Sequence, residues 1–362
     1  MSNNLYLQDI TLKDALDYYH TGSAGRAVCL QDRGTKTICK NVKMLSYQYT
    51  YYSNEPNGKG QFYFEDSEIH GTVDYICGGG DVYFNRVLFV NESRKEGVKN
   101  GTDVIAAPNS KSDWGYIFKD CTIENKAANF SLGRSWNNIA RLTWLNTTLN
   151  QKDEILNDGT KYAYFDIAAM DAAIADKFRL DVLKDAEGNT FSPAEKKVLF
   201  KDKNGKAKEA EENIILTAEE AATYTLDAVF GDWKPAVLST QAAATAATLN
   251  SDKLSWTGDA QMYLVAKDGK FFALTTEKSV NLNGEKGTFT VRAANQMGGF
   301  GATANSVSTG IQNIASATDA AVIKTAIFAA DGTQLSNLQK GINIIVKTLA
   351  DGSKKTSKVI VK

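Results

Sequence analysis

A short phrase centred on an aspartate or asparagine recurs through the first 150 residues, and it limits the possible folds more than any other feature. A large apolar or cysteine residue stands two positions before each Asx residue, and an aliphatic residue stands three positions after it. The six copies are Leu7-Asp9-Leu12, Cys39-Asn41-Met44, Phe64-Asp66-Ile69, Tyr83-Asn85-Leu88, Phe118-Asp120-Ile123 and Trp144-Asn146-Leu149. Their irregular spacing indicates stacked coils joined by loops of varying length.

This pattern predicts a parallel β-helix. Each coil contributes short strands whose side chains alternate between inside and outside. An Asx residue suits the bend between two strands, because it tolerates a left-handed backbone and bonds neighbouring backbone groups. No coil buries its apolar face alone, so the coils must stack. The alternative is a set of antiparallel hairpins, but the Asn-Gly turns that such hairpins favour are scarce between these segments.

The composition narrows the class of protein. A hydrophobic fraction of 43% supports a sizeable core. A formal charge of −1 gives no support to a general nucleic-acid footprint or a polybasic membrane anchor. We find no run of 18 apolar residues, so we predict no transmembrane segment. The N-terminus also lacks the basic and apolar regions of a secretion signal.

The cysteines favour a structural role. No two cysteines form a C-x-x-C pair, and the chain has only two histidines, so a zinc site is not expected. Buried free thiols are the simplest interpretation. The four cysteines are Cys29, Cys39, Cys77 and Cys121.

The phrase stops near residue 150, and helical patterns follow. The Ala-rich stretch Ile167–Lys177 predicts a short helix, and the charged run Lys201–Glu212 predicts a solvated loop or strand edge. Thr217 and Glu220 form a capping box, which predicts one helix over 217–226. We expect that helix to pack on the coils and close the first domain near Trp233.

Two smaller β-modules are predicted after this point. Residues 236–248 are rich in Ala and Thr and indicate a linker. Alternating segments and an Asp-Gly turn at 268–269 then predict a small β-sandwich. The predicted strands are Leu254–Trp256, Met262–Lys267, Phe271–Thr275, Phe289–Ala294, Thr325–Ala329, Gly341–Thr348 and Lys354–Val361. We therefore predict an all-β chain with domains at 1–235, 236–308 and 309–362.

Asp74 and Arg134 are the candidates for chemistry. Asp74 lies among apolar residues just before a glycine run, where backbone can approach a ligand closely. A carboxylate in that setting needs a partner, and an arginine would hold it ionised and oriented. Taken alone, Asp74 is better interpreted as a turn-capping aspartate and Arg134 as part of a surface ion pair.

Three segments in order add a family resemblance. They are Ser46-Tyr-Gln-Tyr-Thr-Tyr-Tyr52, Gly71-Thr-Val-Asp-Tyr-Ile-Cys-Gly78 and Leu132-Gly-Arg-Ser-Trp136. Together they resemble the pectin methylesterase (pectinesterase) family, and specifically its bacterial secreted type. Members of this family are aspartyl carbohydrate esterases built on a right-handed parallel β-helix. The resemblance runs from about residue 5 to about residue 235.

The resemblance implies a site and a substrate. Asp74 matches the nucleophile that attacks the methyl ester of galacturonate in pectin, with release of methanol. Arg134 matches the arginine that pairs with it, Trp136 matches the aromatic residue of the sugar subsite, and Gln48 matches a glutamine that stabilises the oxyanion. Methylated homogalacturonan is the implied partner, and no metal or organic cofactor is implied.

Two family positions differ in this chain. Tyr49 stands where the family has its acid/base aspartate, and Arg26 stands where it has a second oxyanion glutamine. A phenol donates a proton less readily than a carboxylic acid, and a positioned acid contributes about 10²–10⁴-fold in rate. A pectin-binding β-helix with impaired catalysis is therefore the alternative. Asp32 and Asp81 are the candidate replacements for the missing acid, and Arg26 would stabilise an oxyanion or bind a galacturonate carboxylate.

The ends of the chain carry further expectations. The family has additional coils before the segment that matches Leu5–Leu12, so we expect that N-terminal coils are missing and that the protein is secreted or displayed at the cell surface. Residues 249–308 resemble a fibronectin-type module. The tail is similar to C-terminal sorting or attachment modules of secreted bacterial glycan-degrading enzymes. A calcium-dependent lyase is disfavoured, because no acidic residues flank Asp74 in its motif.

Overall fold

The computed structural model describes most of the chain, in two compact units, Met1–Val307 and Ser308–Lys362. Within it, the described residues are 2–21, 26–109, 112–134, 136, 140–156, 161–162, 164–166, 178–193, 198–201, 207–210, 214–243, 245–309, 322–350 and 352–361. The helix predicted for Ile167–Lys177 lies outside these residues. No helix among the described residues is long and apolar enough to cross a membrane.

The first unit begins with strands that wind into coils. In chain order they are β1 (Tyr6–Lys13), β2 (Leu30–Asp32), β3 (Thr37–Leu45), β4 (Tyr51–Ser53), β5 (Gln61–Glu65), β6 (Glu68–Gly71), β7 (Val73–Gly78), β8 (Asp81–Asn85), β9 (Leu88–Asn91), β10 (Thr102–Pro108), β11 (Tyr116–Lys119), β12 (Thr122–Asn125), β13 (Asn129–Arg134), β14 (Leu142–Leu145), β15 (Thr147–Leu149), β16 (Lys161–Tyr162), β17 (Phe165–Asp166), β18 (Phe178–Leu180), β19 (Leu183–Asp185) and β20 (Thr190–Phe191). Helix α1 (Tyr18–Thr21) follows β1, and a 3₁₀ turn (Lys152–Glu154) follows β15.

These strands form two sheets that wrap one apolar interior. The first sheet has the order β18-β14-β11-β8-β5-β3-β6-β9-β12-β15-β19-β20, with β1 alongside β3. The second sheet has the order β16-β17-β13-β10-β7-β4-β2. Nearly all pairs are parallel, and each coil bends inside the first sheet before it enters the second. The predicted parallel β-helix is confirmed.

Strand register stacks one residue of each coil directly above the next. The stack that precedes the bend consists of Leu7, Cys39, Phe64, Phe84, Phe118 and Trp144. The Phe118 and Trp144 rings lie 3.8 Å apart between centroids and nearly parallel. Fully buried aromatic rings in contact account for much of the hydrophobic stabilisation of such a core.

The bends use the left-handed backbone that the Asx pattern predicts. Five of the six Asx residues have a positive φ close to 50°: Asp9, Asn41, Asp66, Asp120 and Asn146. Asparagine and aspartate enter this region at lower cost than other residues with a Cβ. The side chains also connect coils, since the Asn41 amide donates to the Asp9 carboxylate at 2.7 Å.

The fourth copy of the phrase predicts the bend one residue too early. Phe84 takes the inward position, and Arg86, with φ of 55°, takes the bend instead of Asn85. Adjacent aromatic residues at 83 and 84 hide the register from a sequence pattern, and a slip of one residue exchanges the two faces of a strand. Contacts of 2.7 Å from Arg86 to both Asp66 and Glu65 offset the strain at this position.

Three short helices cover the outside of the first sheet: α2 (Ala218–Ala221), α3 (Leu226–Phe230) and α4 (Pro235–Leu238). The capping box of Thr217 and Glu220 is present. The prediction of one helix over 217–226 is wrong, because Thr225 caps a second helix through the Ala228 N–H. Val229, Phe230 and Trp233 pack against the outward faces of coil residues that include Tyr63 and Tyr83.

The hairpin β21 (Val198–Lys201) and β22 (Ala207–Ala210) precedes these helices. The β-sandwich that follows them consists of β23 (Ala247–Asn250), β24 (Lys253–Trp256), β25 (Tyr263–Lys267), β26 (Lys270–Thr275), β27 (Ser279–Asn281), β28 (Gly287–Ala293) and β29 (Ser306–Thr309). Its sheets have the orders β23-β24-β27 and β26-β25-β28-β29. Asp268 and Gly269 both have positive φ, as a tight hairpin turn requires.

The sandwich packs against the first coil and is not separated from it by a free linker. The Asn295 amide donates to the Tyr6 hydroxyl at 3.0 Å, and the Gln8 amide donates to the Phe300 carbonyl at 3.2 Å. The stretch 236–248, predicted as a linker, contains most of α4 and the start of β23. Met297, which is partly buried, also packs against apolar residues of the coils.

The second unit is one antiparallel sheet. It contains β30 (Val322–Ala329), β31 (Gln334–Leu335), β32 (Gly341–Leu349) and β33 (Lys354–Val361), in the order β31-β30-β32-β33. Its long strands agree with those predicted from alternation.

Candidate active site

Asp74 is displaced from its strand by a bulge. Val73 pairs with Val104 and Ile76 pairs with Ala106, so the two residues Asp74 and Tyr75 face a single residue of β10. Asp74 has φ of 51°, in the left-handed region. A bulge inserts one residue and re-aims a side chain without ending the ladder. The second sheet thereby presents a carboxylate while its coil remains paired on both sides.

Arg134 holds this carboxylate with two hydrogen bonds. Its Nε donates to Asp74 Oδ1 at 2.9 Å, and its Nη2 donates to Oδ2 at 2.5 Å. The Asp74 side chain is 7% exposed and that of Arg134 is 36% exposed. Parallel N–H groups match the two carboxylate oxygens in charge and geometry, which fixes the orientation of the acid. The structure thus brings together two residues that lie 60 positions apart in sequence.

Gly133 explains why Arg134 lies where it does. A Cβ at this glycine would stand 2.4 Å from Leu142 Cδ2 and 2.7 Å from the Ala106 carbonyl oxygen. Only a residue without a side chain fits between these coils. Gly133 pairs with Ala106, one residue before Arg134.

The glycine run after Asp74 serves packing between coils. A Cβ at Gly78 would lie 1.8 Å from the Ser53 carbonyl oxygen, and one at Gly80 would lie 2.5 Å from that of Gly60. Both glycines also have positive φ. The sequence suggests that this run lets backbone approach a ligand. In the structure, the run instead lets the preceding coil approach closely.

Tyr49 occupies the position of Asp74 in the preceding coil. Tyr51 pairs with Ile76, and Tyr49 and Asp74 each stand two residues before this pair. Tyr49 also has a left-handed backbone, with φ of 67°. The two side chains therefore leave neighbouring coils at the same level and with similar backbone geometry.

Tyr49, Tyr52 and Trp136 form an aromatic platform. The Tyr49 and Trp136 rings are stacked, with 5.7 Å between centroids and 20° between planes, and Tyr52 lies 6.1 Å from Trp136. The Trp136 N–H donates to the Pro108 carbonyl at 3.0 Å, which anchors its backbone. Trp136 is 47% exposed. Flat, partly exposed rings with polar tips suit a surface that is apolar on one side and wet on the other.

Arg26 and Gln48 form the neighbouring edge. They pair through a parallel backbone bridge, and the Ala27 N–H donates to the Gln48 carbonyl at 3.0 Å. The Arg26 guanidinium carbon lies 5.4 Å from the centroid of the Tyr49 ring, a cation–π contact. Arg26, Gln48, Tyr49, Asp74, Arg134 and Trp136 thus lie on or beside the second sheet.

Asp32 and Asp81 are engaged elsewhere, contrary to their suggested role as replacement acids. Asp81 accepts hydrogen bonds from the Trp114 and Gly115 N–H groups, both at 2.8 Å. Asp32 accepts one from the Gly34 N–H at 3.2 Å. Burial raises the pKa of both carboxyl groups. Each acts as an acceptor for loop backbone.

Tyr52 is the platform residue that the motifs did not single out. It lies in the middle of β4 between two buried residues, Tyr51 and Ser53. Strand alternation therefore points it outward, and that signal was available from the segment 51–53 once the strand was assigned.

Comparison with known proteins finds sequences similar to the first part of this chain. Residues 2–162 match the pectinesterase family model. Pectinesterase B of Pectobacterium parmentieri is 30% identical over 184 residues, which cover 46% of this chain and 44% of that protein. Pectinesterase B of Dickeya dadantii (strain 3937) is 29% identical over 182 residues, covering 46% and 42%. The chain thus spans less than half the length of these curated relatives.

A solved structure is also similar. Pectin methylesterase PemA from Erwinia chrysanthemi aligns with a TM-score of 0.42 at 20% identity, over 65% of this chain and 72% of that one. The fold defines a parallel β-helix protein with a carboxylate–guanidinium pair on its second sheet. Over residues 2–162 the chain is similar to the pectinesterase family, so the resemblance carried by the three motifs is confirmed.

Proposed function

We propose that this chain hydrolyses methyl esters of galacturonate in pectin, with Asp74 as the nucleophile. The observation that carries the proposal is the two-point contact between Asp74 and Arg134, because two hydrogen bonds from a guanidinium orient a carboxylate for nucleophilic attack. The family match supports the same reaction class. Methylated homogalacturonan is the proposed substrate.

In the first step, an Asp74 carboxylate oxygen attacks the ester carbonyl carbon. Each carboxylate oxygen has more than one acceptor position, so the hydrogen bonds from Arg134 leave electron pairs for the attack. The carbonyl oxygen becomes an oxyanion, and the Gln48 amide is the proposed group that stabilises it. The carbon–methoxy bond then breaks, leaving an acyl-enzyme anhydride, and the methoxy oxygen takes up a proton to leave as methanol.

The proton must come from an acid beside Asp74. The Tyr49 hydroxyl is the proposed donor, because Tyr49 leaves the neighbouring coil at the level of Asp74. Water then attacks the anhydride, gives a proton to the phenolate and restores both the Asp74 carboxylate and the Tyr49 hydroxyl. A phenol performs this exchange less readily than a carboxylic acid, so we expect slow turnover.

The test is methanol release from highly methylated pectin. We expect the unaltered chain to release methanol slowly and Asp74→Asn to release none. Tyr49→Asp should release methanol at least about 10²-fold faster than the unaltered chain does. Folding of each variant is checked by circular dichroism and thermal denaturation. The absence of methanol from both the unaltered chain and Tyr49→Asp, with both folded, overturns the assignment.

A second candidate function is pectin binding without catalysis. The observation that favours it is Tyr49 itself, whose ring contacts both Trp136 and Arg26. This alternative predicts affinity for polygalacturonate together with no methanol release by the unaltered chain. Measurable turnover by the unaltered chain excludes it.

We also propose an extracellular or surface location. The proposed substrate is a polymer outside cells, and a chain acting on it must meet it there.

The domains proposed are a β-helix at 1–235, a fibronectin-like module at 236–308 and a C-terminal attachment module at 309–362.

A further inference from the structure

We propose that the sheet of the second unit, Ser308–Lys362, binds de-esterified homogalacturonan through exposed lysines. The proposal rests on the proposed function only in naming the polymer, since each ester that is hydrolysed adds one negative charge to it. The surface belongs to a different unit from the β-helix and shares no residue with the candidate active site.

The charge of this unit is opposite to that of the rest of the chain. Residues 308–362 contain seven lysines, three aspartates and no arginine or glutamate, which gives a formal charge of +4. Residues 1–307 carry −5, so the near-neutral total of −1 conceals a separation of charge along the chain. A unit with a strong net charge attracts a polymer of the opposite charge before any single contact forms.

Three of the lysines share one face of the sheet. Lys324 and Lys354 lie opposite Thr348 from its two sides, and Lys358 lies opposite Ile344. Directly opposed residues point to the same face, and so do alternate residues of one strand. The backbones of Lys324 and Lys354 are two strand spacings apart, about 10 Å, and those of Lys354 and Lys358 are four residues apart along β33, about 13 Å.

These three lysines have no acidic partner in the structure. All three are exposed, and no carboxylate among the described residues of the chain lies within ion-pair distance of their ammonium groups. Asp331 is the acidic residue of this unit that the structure describes. Its carboxylate accepts the Thr333 N–H at 2.9 Å, within its own hairpin turn. The ammonium groups are therefore available to an anion from outside the chain.

A fourth lysine shows that protection of the sheet edge does not explain this arrangement. Lysines on an edge strand discourage edge-to-edge pairing, which would account for those on β33. Lys347, however, lies on the inner strand β32, directly opposite Lys355. Like charges opposed across two strands lower the stability of a sheet. A polyanion that runs along the sheet would relieve this repulsion.

The placement of the lysines favours a flexible polymer as the partner. Lys324, Lys354 and Lys358 extend over about 10 Å by 13 Å, so charges repeated along a chain match them better than one small anion does. A planar membrane would contact one face of the sheet, whereas Lys347 points to the face opposite that of Lys324. De-esterified homogalacturonan carries one carboxylate on each sugar and can bend around the edge strand β33.

An exposed apolar pair lies next to these charges. Ile342 and Ile360 are opposite each other on the face of Lys358, and they are 42% and 64% exposed. The C–H groups of a sugar ring can cover such side chains, and burial of apolar area adds to the attraction between charges. A methyl-esterified chain would keep the apolar contact and lose the ionic ones, so affinity should rise as esters are removed.

The test measures binding of the full chain by isothermal titration calorimetry. One probe is fully de-esterified homogalacturonan, and the other is the same polymer fully amidated, which is uncharged. The test variant combines Lys324→Gln, Lys354→Gln and Lys358→Gln. We expect it to bind the de-esterified polymer roughly tenfold more weakly, and the amidated polymer within about twofold of the unaltered chain. Its affinity should also fall less steeply with added salt, because fewer ionic contacts are screened.

The matched control combines Lys253→Gln, Lys270→Gln and Lys278→Gln, which removes the same charge from exposed positions of the sandwich. It should bind both polymers as the unaltered chain does. Both triple variants retain the β-helix, so any affinity of its second sheet for the polymers is common to them. Circular dichroism checks that each variant folds.

Equal losses in the two triple variants, no loss in the first, or failure of the unaltered chain to bind the de-esterified polymer overturns the proposal. Tighter, lysine-dependent binding to vesicles of phosphatidylcholine and phosphatidylglycerol also overturns it and assigns the surface to a membrane. Neither polymer contains an ester, so these outcomes are independent of methanol release. If release fails while lysine-dependent binding persists, only the proposed reaction is lost.

Discussion

Tyr49 and Asp74 leave adjacent coils at the same level, two residues before the paired residues Tyr51 and Ile76, and both have a left-handed backbone. A phenol and a carboxylate therefore project side by side from one sheet. The backbone conformation is similar at both positions, so the main chemical difference between them comes from the side chains.

Removal of the Tyr49 hydroxyl separates its two roles. Tyr49→Phe keeps the ring that stacks on Trp136 and supports Arg26, but removes the proposed proton donor. We expect kcat for methanol release to fall roughly 10²-fold while affinity for de-esterified oligogalacturonate stays within about twofold. Tyr52→Phe is the control and should change neither. An unchanged kcat in Tyr49→Phe would remove the phenol from the mechanism.

The Asp74–Arg134 pair should show strong energetic coupling. Arg134→Met leaves a buried carboxylate without its cation, so we expect a loss of about 1–2 kcal/mol in unfolding free energy, a value lowered for the partial exposure of Arg134. Adding Asp74→Asn removes the carboxylate charge that Arg134 balances, and should recover part of that loss. Urea denaturation of both single variants and the double variant gives the coupling energy. Strictly additive losses would contradict the pairing.

Gly133→Ala should damage the site through packing. The added Cβ meets Leu142 Cδ2 and the Ala106 carbonyl, so β13 must shift and carry Arg134 with it. We expect a loss of about 1–3 kcal/mol, measured by denaturation, together with lower methanol release. The double variant with Leu142→Ala should not restore activity, because the carbonyl contact remains. Normal stability in Gly133→Ala would show that the coils can accommodate a Cβ at position 133, which contradicts the prediction.

Asp103 should make stability depend on pH. Its side chain is fully buried, Arg94 Nε donates to Oδ1 at 3.2 Å, and Oδ2 has no hydrogen-bond partner in the described part of the chain. Burial raises the pKa of Asp103 to about 7, although Arg94 opposes the shift. A carboxyl group whose pKa is higher in the folded state favours folding at low pH, and that contribution is lost as pH rises from about 4 to about 7.

We therefore expect the contribution of Asp103 to unfolding free energy to decrease between pH 4 and pH 8, by at most about 4 kcal/mol. Asp103→Asn should flatten this part of the profile, measured by urea denaturation at each pH. Asp153→Asn, at an exposed position of the 3₁₀ turn, is the control. An identical pH profile in Asp103→Asn and the unaltered chain would refute the prediction.

The sequence was most informative where local chemistry determines the backbone. Asn41 and Asp66 could be placed at bends because the left-handed region favours Asx side chains. The capping box at Thr217 could be recognised for a similar local reason. The error at Asn85 arose because adjacent aromatic residues at 83 and 84 satisfy the same apolar pattern, and only pairing with neighbouring coils selects one of them.

The site was less accessible to sequence analysis. The family motifs supplied Asp74 and Arg134 as a candidate pair, but the bulge that presents Asp74 depends on a register shift against β10. The contact between Tyr49 and Trp136 joins residues 87 positions apart, and no local signal predicts it. The role of Gly78 in coil packing likewise depends on the carbonyl of Ser53 in the preceding coil.

The contacts of Asn295 and Phe300 with the first coil limit what the sandwich can contribute. A module on a flexible tether searches a polymer independently and raises the local concentration of its neighbour. Here the sandwich has lost that freedom, so any polysaccharide that touches both modules must follow a single fixed path. Its contribution would be a longer footprint on the polymer, without the avidity gained from an independent search.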